Sequence, residues 1–224
     1  MNGITILGLI GFAPAAVLLY FLLGEFEGYF KDNKAFFMVT LGLGIGLAVG
    51  IFSMSFPLQN FFWTLMVVGL IEVIKLFILI QKPFRLKHDA TFYGMGLGTG
   101  IAAMMMFIYI FYAGISSVAL RTAVFVLLLS YNYTLIHAST GAMIGYGSSK
   151  GDFWRYLLRS FLISGGHGFI MTFVWGARFG QASVFALLIV GGIFATVIMF
   201  YVYNEIIPDS IPDEMKSAMR KEGK

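Results

Sequence analysis

The chain alternates long apolar runs with short polar connections. A run of at least about 18 apolar residues is long enough to cross the hydrocarbon core as a helix. Seven such runs occur, at 3–24, 35–55, 61–81, 91–113, 120–147, 156–177 and 182–204. The pattern predicts an all-α polytopic membrane protein with one seven-helix transmembrane domain over 1–204 and a tail at 205–224. With two prolines and mixed charge, the tail reads mainly as solvated; a short surface helix near Met215 and Met219 is the alternative.

Composition strengthens the membrane reading. Hydrophobic residues make up 59% of the 224 positions and charged residues 12%, and the mean hydropathy is +0.87, well outside the range of soluble domains. There is no cysteine, which excludes disulfides, thiolate nucleophiles and Cys metal sites. The formal charge of +4 is a topology signal here and does not point to nucleic acid. If the N-terminus is outside, the inner segments hold Lys31, Lys34, Lys82, Arg85, Lys87, Lys150, Arg155, Lys216, Arg220, Lys221 and Lys224. The outer segments then hold only Arg121 and Arg178. This bias predicts a multi-pass protein of the cell membrane with its N-terminus outside and its C-terminus cytoplasmic. No positive segment precedes the first run, so it reads as a retained helix rather than a signal peptide.

Polar residues inside the runs carry the candidate chemistry. Of 11 acids, only Glu72 lies well inside a span, and it is joined there by His137 in the fifth span and His167 in the sixth. Intramembrane ionisable groups are costly, so each is a candidate site residue. At a rise of about 1.5 Å per residue, the three lie roughly 14, 15 and 17 Å from the inner ends of their helices, in one layer. They are therefore expected to converge. Lys75, one turn from Glu72, can pair with it or snorkel inward, and Arg159 is expected to snorkel. Three uses of the cluster stay open: an interhelical hydrogen-bond core, a His₂Glu site for Zn²⁺ with an open water position, or a water held for carboxylate-assisted peptide hydrolysis. A proton relay in a transporter is a further reading, but no paired broken helices accompany it.

Glycines form a second pattern. Gly42, Gly46 and Gly50 recur at spacing four in the second span, as do Gly94/Gly98 and Gly96/Gly100 in the fourth. Such faces let helices approach closely, either within the chain or against another membrane protein. Small residues also surround both histidines, in "HASTGAMIGYG" and "SGGHG". The run Met104-Met105-Met106 reads as adaptable packing.

Four stretches in order, "IEVIK", "YGMGLGTGIAAMMM", "HASTGAMIGYG" and "HGFIM", resemble motifs of the superfamily that joins PrsW-type intramembrane proteases, CAAX prenyl endopeptidases and the APH subunit of γ-secretase. PrsW-like proteins carry EExxK, YG…GLGF…EN, HA…GYG and HGxxD in these places. This chain has Ile71 for the leading Glu, Met105-Met106 for Glu-Asn and Met171 for the closing Asp. The leading Glu is the one thought to activate water in the proteases. The APH subunit is similar in its losses: its QEVxR resembles Ile71-Glu72-Val73-Ile74-Lys75, and its GLxxGI resembles Gly96-Leu97-Gly98-Thr99-Gly100-Ile101. It keeps one histidine in each of the next two helices, like His137 and His167, and has seven spans with the N-terminus outside. The third glycine of its pattern is Met104 here. The resemblance implies a catalytically degenerate scaffold that assembles with a presenilin-like aspartyl protease. Its alternative is an active protease using Glu72, His137 and His167 with Lys75 in support.

Overall fold

The computed structural model describes residues 3–114, 118–177 and 182–221, with side chains described throughout these except at 22, 23 and 218–221. Arg178 and Lys224, counted in the charge bias, lie outside the described residues, as do the side chains of Met219, Arg220 and Lys221. Seven helices are long and apolar enough to cross a membrane: α1 (Gly3–Glu25), α2 (Asp32–Ser53), α3 (Phe61–Leu79), α4 (Ala90–Tyr112), α5 (Leu120–Lys150), α6 (Phe153–Gly176) and α7 (Ala182–Tyr201). No strand occurs among the described residues. Each helix matches its expected span to within three residues at either end.

Local chemistry explains several of these ends. Asn60 caps α3 by accepting the Phe62 N–H at 2.9 Å. α5 stops at Gly151, whose φ of 77° places it in the left-handed region that a side chain would disfavour. Pro14 lies inside α1, where Ser130 of α5 donates to the nearby Gly11 carbonyl. That bond ties α5 to α1 beside the Ile10 carbonyl, the one whose helical donor is lost at Pro14.

The bundle has the radial polarity of a membrane protein. Large apolar side chains such as Phe36, Phe62, Phe77, Leu162 and Phe200 project outward, while Glu72, Lys75, Thr140 and Asn132 are fully enclosed. One end, here called the basic end, carries the connections with Lys82, Arg85, Lys87 and Lys150; the opposite end carries the α2–α3 loop.

α4 is the axis of the packing, with 83% of its spanning stretch buried against 22% for α1. Its two glycine faces make this possible. A Cβ at Gly100 would strike the Val39 carbonyl oxygen, and one at Gly42 the Leu97 carbonyl oxygen, so α2 and α4 touch backbone to backbone. On the other side, Gly94 opposes Gly141 and Gly98 opposes the His137 carbonyl of α5. Gly46 meets Ile101, Gly50 meets Ile108, and Gly96 meets Val39. The Gly42/Gly46/Gly50 and Gly96/Gly100 faces are thus filled within the chain, which corrects the alternative that they await another protein.

The tail corrects a second expectation. α7 runs into a π-helical turn at Val202–Ile206 and a short α8 (Ile207–Ser210), with Val202, Ile206, Ile207 and Ile211 buried against the bundle. Asp209 accepts from Tyr146 and pairs with Lys150 at 3.4 Å. Only then does α9 (Asp213–Lys221) follow, the short helix held as the alternative.

Candidate functional site

α3, α5 and α6 bring the candidate residues together because their small residues leave room for polar groups between them. Glu72 and Lys75 occupy successive turns of α3, and both side chains have 0% exposure. Lys75 Nζ lies 3.0 Å from Glu72 Oε1, 2.7 Å from Thr140 Oγ1 and 3.3 Å from His137 Nδ1. An ammonium has three donors and no acceptor, so all three of its protons have partners. Lys75 therefore forms the ion pair and does not snorkel. Arg159 does reach back along its helix, stacking on Tyr156 at 5.1 Å.

Glu72 is held asymmetrically. Its Oε1 accepts from Lys75, from Ser164 of α6 at 2.7 Å and from Thr140 at 3.1 Å, whereas Oε2 is buried without a hydrogen-bond partner. Ser160, one turn before Ser164, donates to the Thr140 carbonyl at 3.3 Å and ties α6 to α5. The charged pair is thus braced by two neutral hydroxyls, those of Thr140 and Ser164.

Glu72 and His137 converge on the same ammonium, as the depth estimate anticipates. His167 stands in an adjoining group instead. Its Nε2 lies 3.3 Å from Asn132 Oδ1, and Asn132 Nδ2 donates to the Leu188 carbonyl of α7 at 3.0 Å. Tyr133 links the two groups: its ring centroid is 5.9 Å from that of His137 and 5.7 Å from that of His167. Residue-by-residue reading missed Thr140, Ser160, Ser164, Asn132 and Tyr133. Helical spacing carried a signal for two of them, since Thr140 is three residues after His137 and Ser164 three before His167.

The geometry does not suit a His₂Glu metal site. Among the described residues, no group of three or more His, Cys, Asp or Glu side chains is placed to hold a metal ion. Glu72 and His137 both face the Lys75 ammonium, which repels a cation from the position they would share.

A cavity of about 30 Å³ lies on the far-end side of this network, lined by His137, Ile71, Met105, Tyr109, Tyr133 and Trp175 among others. Ile71 and Met105 stand where the resemblance places protease acids, and both face the space beside His137. Met171 occupies the third such position, against Gly191 and near Asn132. Ile71 and Met105 thus line the His137 side, and Met171 lies near Asn132, the partner of His167.

No family model matches the chain, and no curated protein or solved structure matches it.

Proposed function

We propose that the chain is a catalytically inactive scaffold on an intramembrane-protease plan, similar in role to the APH subunit, which assembles with a presenilin-type aspartyl protease in the cell membrane. Its basic end is cytoplasmic and its N-terminus outside, in keeping with the charge bias. The observation that carries this reading is the engagement of Glu72 Oε1 by Lys75, Thr140 and Ser164, with Ile71 and Met105 as the apolar residues beside His137. Peptide hydrolysis on this plan needs a carboxylate that can take a proton from water. Glu72 instead neutralises a lysine and knits three helices, which is the work of a scaffold.

Because the glycine faces are filled, the partner must dock on the outward apolar surface. Co-expression with a presenilin-type protease tests the assignment. The protease should gain abundance and peptide-cleaving activity in the presence of this chain and copurify with it in mild detergent. A protease equally abundant and active without the chain contradicts the proposal.

A further inference from the structure

The cavity beside His137 contains two hydrogen-bond donors with no acceptor. The Lys75 ammonium only donates, so His137 Nδ1 accepts, and in the neutral ring the single proton then sits on Nε2. No acceptor for that proton stands among the described residues. Tyr133 lies one turn earlier on α5 and lines the same cavity. Its oxygen accepts from Trp175 Nε1 at 3.3 Å, which leaves its own O–H without an acceptor among the described residues. The single Ser53 proton is taken by the Gly50 carbonyl at 2.7 Å, so the nearby Tyr109 O–H can donate to Ser53 Oγ at 3.2 Å.

The space beyond has two parts. The neck of about 30 Å³ has room for one or two oxygen-sized groups. It shares Leu58, Tyr109 and Trp175 with a vestibule of about 400 Å³ at the far end, whose other walls include Met54, Phe56 and Tyr112. A volume of that order suits a small organic ligand.

We propose that Tyr133 O–H and His137 Nε2–H form a receptor for a neutral carbonyl oxygen whose apolar body rests in the aromatic vestibule. A carbonyl brings two lone pairs and no proton, which matches two unpaired donors. A hydroxyl or amine would bring a further proton, for which the site offers only hydroxyl oxygens that already take part in hydrogen bonds. A cation would be repelled by the Lys75 ammonium behind His137, and a carboxylate would find that ammonium already neutralised by Glu72. The occupant is a ketone, ester or amide, either a diffusible molecule or the acyl ester of a lipid. This site is independent of the scaffold role, since a chain without a protease partner would retain it.

Carbon-13 NMR of carbonyl-labelled probes, with the purified full chain in ester-free maltoside micelles, tests the site. One arm uses acetophenone labelled at its carbonyl, with ethylbenzene as the oxygen-free competitor. The other uses ester-labelled phosphatidylcholine. The wild-type protein should produce a saturable downfield shift of at least one probe, as expected for a carbonyl receiving hydrogen bonds. Tyr133→Phe keeps the ring and removes only the donor, and should weaken binding by roughly five-fold, the effect of one neutral hydrogen bond. Leu58→Trp, which fills the junction of neck and vestibule, should abolish the shift while leaving both donors in place. A response of acetophenone supports a diffusible ketone, and a response of the lipid ester alone supports a lipid. If neither probe shifts with the wild-type protein, or if Tyr133→Phe and Leu58→Trp leave the shift unchanged, the receptor does not exist.

Discussion

At the scale of single residues, the contrast between Glu72 and His167 defines the account. Glu72 neutralises a buried lysine; His167 makes one neutral hydrogen bond, to Asn132. Removing one member of a buried ion pair leaves the other charge uncompensated, at a cost of about 3–5 kcal/mol, whereas replacing both by apolar residues of similar size is often neutral. Glu72→Ala should therefore destabilise the protein by about 3 kcal/mol, and Glu72→Met combined with Lys75→Met should recover most of that loss. His167→Ala should cost about 1 kcal/mol, the range of interhelical hydrogen bonds in membranes. Reversible unfolding in mixed micelles measures all three. A double variant as unstable as Glu72→Ala would show that the pair is not the unit of stability. The charged and imidazole members of this site were legible because such groups are rare inside apolar runs. Thr140, Ser164 and Asn132 were not, since neutral polar residues are tolerated in spanning helices and nothing in composition marks which of them face a carboxylate. Ser139, one position from Thr140, points instead toward Met199 at 3.8 Å.

At the scale of elements, helix contact is set by which glycines face backbone. Gly98 and Gly44 are both interior to helices, yet a Cβ at Gly98 would overlap the His137 carbonyl oxygen and one at Gly44 would meet nothing within 4 Å. Gly98→Ala should lower the thermal midpoint in detergent, with an overpacking cost of about 1–3 kcal/mol. Gly44→Ala should leave it unchanged or raise it slightly, since alanine is the better helix former. Equal effects at the two sites would contradict the close approach of α4 and α5. The spans themselves were legible from run length alone, because the bilayer imposes a minimum length. The tail was not: Ile206, Ile207 and Ile211 are too few for a span and are punctuated by Pro208 and Pro212, so the segment reads as solvent-facing. It packs because its isoleucines are buried beyond the π-helical turn and Asp209 pairs with Tyr146 and Lys150.

At the scale of the whole molecule, a ring of apolar side chains faces outward around a polar seam formed by α3, α5 and α6. The absence of cysteine makes its orientation easy to read. Gln59→Cys, in the exposed α2–α3 loop, should react with an impermeant maleimide on intact cells, and Lys87→Cys, in the exposed α3–α4 loop, only after permeabilisation. The reverse pattern would invert the proposed topology. Within that orientation the cavity beside His137 opens toward the outside, yet its Ile71 and Met105 walls carry no acid. On the proposed protease plan, Ile71→Glu alone should not produce an enzyme, because Met105 and Met171 would still carry no acid. The most direct measurement is cleavage of membrane-anchored and prenylated peptides by the purified chain, wild type beside Glu72→Gln. The account predicts no turnover by either protein; turnover by the wild type that disappears in Glu72→Gln would make Glu72 a catalytic acid and contradict it.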